Sequence, residues 1–168
     1  MSTFKEIFVK TQICTGCRSC QLACAVQHSE TKNLFTALFE SPGPKSRVYV
    51  EWLDSGDKVP VLCRHCEDAP CVNACIAGAI TRADSGAVIT ENDKCIGCWT
   101  CVMVCPYGVI GREKLTGKAY RCDRCPDLDI PACVSACPTA ALSFETIETH
   151  SERKRKAVSR ELVTGEGG

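Results

Sequence analysis

Apolar residues along this chain come in short runs, each close to a turn signal, and no run is long enough for an extended helix or a broad sheet. Val48 to Leu62 reads VYVEWLDSGDKVPVL, two apolar segments around Asp54-Ser55-Gly56-Asp57, which predicts a hairpin. A second hairpin is predicted where GAI and AVI flank a turn at Asp84-Ser85-Gly86. The triplets GAI, GVI and AAL recur farther along the chain, and each predicts entry into a short strand. LAC, NAC, MVC and SAC, each ending on a cysteine, suit a helical turn. The segment from Thr146 to Gly168 carries Arg153, Lys154, Arg155, Lys156 and Arg160, a composition that predicts a solvated helix or disorder. Its charge also suits a docking arm for a partner subunit.

Composition changes this picture in one respect. Only 6% of the 168 residues are aromatic, while sixteen are cysteine. Small chains with thin interiors rely on disulfides or metal–thiolate bonds. The start, MSTFKEIFVKTQIC, has no apolar core of signal-peptide length and no twin arginine, so a cytoplasmic location and reduced thiols are expected. No apolar stretch is long enough to enter a membrane directly.

The spacing of the cysteines favours metal. Cys14, Cys17, Cys20 and Cys24 follow C-x2-C-x2-C-x3-C, and Cys95, Cys98, Cys101 and Cys105 repeat it, with Pro106 next. This is the bacterial [4Fe–4S] ferredoxin spacing, in which the fourth cysteine serves the other cluster of a pair. Cys63, Cys66, Cys71 and Cys75 widen the middle gap to four residues; Cys122, Cys125, Cys133 and Cys137 widen it to seven and end in Pro138. Three thiolates on one tight loop wrap three corners of a cubane, and a distant segment fills the fourth. Gly16 and Gly97 would let the backbone approach, so that N–H groups donate to sulfur. Four [4Fe–4S] clusters account for all sixteen cysteines.

The hairpin between the second and third groups makes them one module: Cys63, Cys66 and Cys71 with Cys105, and Cys95, Cys98 and Cys101 with Cys75. By elimination the first and fourth groups pair, Cys14, Cys17 and Cys20 with Cys137, and Cys122, Cys125 and Cys133 with Cys24. The expected fold is α+β: two pseudo-symmetric bacterial ferredoxin-like modules with short hairpins and helical turns. Residues 1–62 and 107–145 form the outer module, residues 63–106 the inner one, and residues 146–168 the basic tail.

The 20 basic and 20 acidic residues cancel, but sixteen thiolates on four oxidised clusters bring the total to roughly −8. Such a charge argues against a nucleic-acid partner. The chain lacks G-x-G-x-x-G and phosphate-loop motifs, and no cysteine is left over as a nucleophile. Electron transfer rather than catalysis is therefore expected. The alternative of another class, a structural zinc-binding scaffold, normally spaces C-x2-C pairs by a longer loop. Among single residues, His65 reads as a surface side chain with charged neighbours, although a hydrogen bond to a cluster would raise its potential. His28 reads as an ordinary polar loop residue, and Trp99 as a packing residue that also shields a cluster from water.

The four groups together resemble the four-cluster iron–sulfur subunits of the dimethyl sulfoxide reductase type, over about residues 5–145. Subunits of that type serve molybdenum oxidoreductases, formate dehydrogenases and hydrogenases, and they too pair the first group with the fourth and the second with the third. Three segments, CRSCQLACAVQHSETKNLF, CRHCEDAPCVNACIAGAI and CIGCWTCVMVCPYGVI, are most similar to the ferredoxin-like subunit of carbon monoxide dehydrogenase systems. That resemblance implies electrons taken from a nickel–iron carbon monoxide dehydrogenase and passed to a hydrogenase or other acceptor oxidoreductase. Formate dehydrogenase and hydrogenase complexes remain open as alternatives. The larger subunits add membrane anchors or insertions, and this chain departs from them by its shortness.

Overall fold

A computed structural model describes residues 4–164. In chain order its strands are β1 (Lys5–Val9), β2 (Val48–Trp52), β3 (Lys58–Leu62), β4 (Ile80–Arg82), β5 (Val88–Thr90), β6 (Gly111–Glu113), β7 (Lys118–Tyr120) and β8 (Leu142–Thr146). They form four separate two-stranded antiparallel sheets. Three are local hairpins. The fourth pairs β1 with β8, Ile7 opposite Phe144, and so joins the two ends of the cysteine-bearing region.

Both hairpins expected from the sequence are present, with Gly56 and Gly86 at positive φ in their turns. The strand entries also fall where the triplets recur, at Ile80, just after Ile110, and at Leu142. A turn precedes each. Gly78, Gly108 and Ala140, three residues beyond a fourth cysteine, all adopt positive φ and donate their N–H to the Cys75, Cys105 and Cys137 carbonyls. The β6–β7 hairpin and the β1–β8 pairing lie outside the sequence reading: GRE and KAY are too short and polar to show a strand period, and strands at opposite ends leave no local signature.

The helices are α1 (Ser19–Gln27), α2 (Pro70–Asn73), α3 (Thr100–Val104), α4 (Ala132–Ser135) and α5 (Ile147–Thr164). Each of the first four carries the third cysteine of a group. The fourth follows four residues later, on the same helical face in α1 and just past the end of the helix in α2, α3 and α4. Pro70 opens α2 at a position whose N–H has no helical partner. Helix α1 packs against α4, and α2 against α3.

Two buried cores result. One gathers Ile7, Val48, Val50, Leu62 and Leu142 with Cys20, Cys24, Cys63, Cys122 and Cys133. The other gathers Ile80, Val88, Ile110 and Ala119 with Cys71 and Cys101. Cys105 packs against both. The molecule is thus a small mixed helix–strand fold of short sheets in whose cores cysteines pack among aliphatic side chains.

The basic tail is helical to Thr164, and residues 165–168 lie outside the described region. Its first turns are anchored: the His150 ring stacks on Phe8 at 3.8 Å, its Nδ1 lies 2.9 Å from Glu145 Oε1, and Arg153 donates to the same carboxylate. No described helix is long and apolar enough to cross a membrane.

Candidate metal centres

None of the sixteen cysteines is in a disulfide, and they gather in sets. Cys14, Cys17, Cys20 and Cys137 line one cavity; Cys75, Cys95, Cys98 and Cys101 line another, with Trp99 in its wall. Each set joins three cysteines of one group to the fourth of another. Electrostatics repeat the grouping. Burial, then the proximity of Cys137, Cys17 and Cys14, pushes the Cys20 thiol up to about 11. Burial, then Cys95, Cys98 and Cys75, raises that of Cys101. Burial, then Cys122, Cys24 and Cys125, drives Cys133 higher still, with Cys20 of the neighbouring set adding to it. The second group is joined through a side chain, Arg121, which donates from Nη1 to Cys71 Sγ at 3.0 Å and from Nη2 to Cys63 Sγ at 2.9 Å.

The backbone around these thiols repeats as well. The residue before the second cysteine of each group has positive φ: Gly16, His65, Gly97 and Arg124. At Gly16 the conformation comes with close packing, since a Cβ would meet Lys58 Cγ at 2.7 Å and Trp52 Cζ2 at 2.8 Å. At Gly97 it would collide with the Gly117 carbonyl. Both glycines thus admit neighbouring hairpins against the cysteine loops. His65 and Arg124 hold the same conformation with full side chains, at about 1–2 kcal/mol of local strain each.

Donors are already aimed at several sulfurs. The N–H of Arg47 reaches Cys24 Sγ at 3.2 Å, that of His65 reaches Cys63 Sγ at 3.4 Å, and that of Ala79 reaches Cys75 Sγ at 3.2 Å. Hydrogen bonds with Ser19 and with Thr100, side chain first and backbone second, lower the thiol pKa of Cys17 and Cys98. These contacts favour thiolate, the form that binds metal. Buried thiols such as Cys122, pushed up to about 12 mainly by burial, would instead stay protonated without a cation. The donor set therefore fits clusters held by sulfur, with hydrogen bonds to their ligands.

Two histidines depart from the sequence reading. His65 is buried, at 5% exposure, rather than a surface residue. Its Nδ1 accepts the Val88 N–H at 2.9 Å, and burial, then the Arg124 and Arg121 charges, pushes it down to about 3. Its backbone has positive φ, and the composition around it gives no hint of burial. His28 is half-buried rather than an ordinary loop residue. Its Nε2 lies 3.1 Å from Asp123 Oδ1, and its Nδ1 2.7 Å from the Cys24 carbonyl oxygen. Burial, the largest single influence, would lower its pKa, but the hydrogen bonds with Asp123, Cys125 and Cys24 together outweigh it and hold the ring protonated. Arg47 donates to the other Asp123 oxygen. The three side chains fasten the first cysteine group to the fourth across the chain, a long-range link with no sequence period.

Arg121 and Arg124 are the functional candidates that spacing analysis passed over. They flank Cys122 in RCDR, and both are buried. Lining up the four groups would have flagged Arg124 together with His65, since the other two groups have glycine before the second cysteine, but it gives no signal for Arg121.

Sixteen cysteines, gathered in sets with donors on several of their sulfurs, define the class: an iron–sulfur protein built to carry several [4Fe–4S] clusters. Comparison with known proteins agrees. The 4Fe-4S dicluster domain matches residues 55–147 and a 4Fe-4S binding domain matches residues 11–27. The chain is similar to an iron-sulfur protein of Rhodospirillum rubrum, 38% identical across 94% of this chain and 90% of that protein. It is similar also to the electron transport protein HydN of Escherichia coli, 39% identical across 85% and 90%. The thiosulfate reductase electron transfer subunit PhsB of Salmonella typhi is 36% identical across 89% of this chain and 79% of that one. The chain belongs to the family of 4Fe-4S ferredoxin-like electron-transfer subunits, and its sixteen cysteines match a complement of four clusters.

Proposed function

We propose that this chain relays electrons, one at a time, from a nickel–iron carbon monoxide dehydrogenase to a hydrogenase or other acceptor oxidoreductase. The ligand sets are Cys14, Cys17, Cys20 and Cys137; Cys63, Cys66, Cys71 and Cys105; Cys95, Cys98, Cys101 and Cys75; and Cys122, Cys125, Cys133 and Cys24. When bound, the clusters supply reversible one-electron chemistry. The α1–α4 and α2–α3 contacts support two ferredoxin-like modules, one built from the first and fourth groups and one from the second and third, which meet where Cys63 enters the core of the first and Cys105 packs against both cores.

The observation that carries the relay is the gradient of exposure along these sets. Cys17 and Cys98, in the first and third groups, are exposed, whereas Cys63, Cys71, Cys122, Cys125 and Cys133, in the second and fourth, are buried. Cys63 shares a core with Cys122 and Cys133, so the two inner sets adjoin. Electrons would enter and leave at the first and third sets, while the inner pair stays dry. Phe35, Leu38 and Phe39, exposed by 74%, 73% and 89%, offer apolar surface for a partner.

The choice of donor rests on the three segments similar to carbon monoxide dehydrogenase systems. A second reading places the chain in a formate dehydrogenase, hydrogenase or reductase complex; the match to the thiosulfate reductase subunit favours it. Anaerobic purification with partners retained, followed by metal analysis, separates the two. Nickel with iron, and dye reduction driven by carbon monoxide, is the expected result. Molybdenum or tungsten with iron would move the chain to the second reading. Zinc without iron would leave a structural scaffold and end the electron-transfer reading.

A further inference from the structure

Arg121 is 4% exposed, and among the described residues its guanidinium has no carboxylate partner. Its hydrogen bonds run to Cys71 Sγ and Cys63 Sγ, and its Nε–H is buried with no acceptor. A buried cation without a counter-charge is strongly disfavoured. Thiolates at Cys63 and Cys71 are the counter-charge within reach. Arg124, also buried, differs in having Glu6 at 3.3 Å. Arg121 stands directly before Cys122, so its backbone belongs to the fourth cysteine group while its charge lies on the second.

We propose that Arg121 sets the reduction potential of the centre held by Cys63, Cys66 and Cys71, raising it above the value those ligands alone would give. This inference rests on the four-cluster reading. Two charge-assisted N–H···S bonds draw electron density from the ligating sulfurs. A fixed positive charge also offsets the electron that arrives on reduction, and it acts most strongly where water is excluded. Only the second set receives a guanidinium in this way among the described residues. Its centre is therefore the one that should respond to a change at this position, even though the substitution lies in the fourth group's segment. Arg121 touches ligands rather than iron, and is a positioning residue.

The test is a dye-mediated redox titration followed by electron paramagnetic resonance, on the full chain prepared without oxygen. Wild type is compared with Arg121→Gln and Arg121→Lys. Iron in the wild type is measured first: about sixteen atoms per chain supports four clusters, and fewer overturns that reading together with this one. With iron in place, Arg121→Gln should move one midpoint to lower potential and leave three unmoved. The moving centre should be the one whose signal Cys63→Ser alters. Arg121→Lys, which keeps the charge but loses the two-pronged contact, should move the same centre less, and it carries the test if the glutamine variant loses that centre. Unmoved midpoints at full iron would overturn the role of Arg121 while leaving the four clusters standing. Loss of one centre in both variants, with the rest unchanged, would overturn it too and make Arg121 a folding residue.

Discussion

Ala140 sits exposed on the turn after Cys137 with φ 52, where its relatives in the repeat, Gly78 and Gly108, are glycines. A left-handed alanine costs about 1–2 kcal/mol, and glycine returns part of that gain through its freer unfolded chain. Ala140→Gly is therefore expected to stabilise by about 1 kcal/mol or less. The check is a higher denaturant midpoint for bleaching of the brown chromophore, at equal iron content. Gly97 is the opposite case. A Cβ there would strike the Gly117 carbonyl while φ is +72, so neither side chain movement nor backbone relaxation relieves it. Gly97→Ala should destabilise by about 2 kcal/mol or more and lower bound iron, read by metal analysis against total protein.

At the scale of elements, the docking of α5 against β8 is titratable. Burial opposes the charge on Glu145, but His150, Ser143 and Arg153 together hold its carboxyl below the ordinary glutamate value of 4.5. A carboxylate lowered by folding adds stability above its unfolded pKa and loses it as pH falls through the folded one. The anchor should hold at neutral pH and release below about pH 4. Amide hydrogen exchange across α5 should accelerate there before that of α1, and in Glu145→Gln it should already be fast at pH 7. The short helices α2 to α4 behave differently. They are too brief to persist alone, and cysteines at both ends tie them into the fold.

For the whole molecule, exchange of the fourth cysteines makes a distinctive expectation. Cys105 belongs to the third group in sequence, yet it should complete the second centre, and it packs against both cores. Cys105→Ala should thus damage the centre of Cys63, Cys66 and Cys71 more than that of Cys95, Cys98 and Cys101. Loss of only the latter signal in electron paramagnetic resonance would contradict the exchange. The same crossing ties distant parts of the chain, as the β1–β8 pairing and the His28–Asp123–Arg47 contact do. Removing iron with a chelator should for that reason unfold the protein as a unit, with a single loss of circular dichroism.

Much of this was legible in the sequence, because cluster chemistry writes itself into local spacing. The four cysteine groups, the hairpins at Val48–Leu62 and around Asp84-Ser85-Gly86, and the turns entering Ile80 and Leu142 are all set within a few residues of one another. Charge placement is another matter. Arg121 looks like any arginine beside a cysteine, and His65 looks exposed, until folding carries Cys63 and Cys71 to the one and buries the other. Local rules dictate which atoms can bind iron; only the long-range packing of the groups decides which charges lie beside them, since a Coulomb interaction depends on distance in space and on excluded water rather than on separation along the chain.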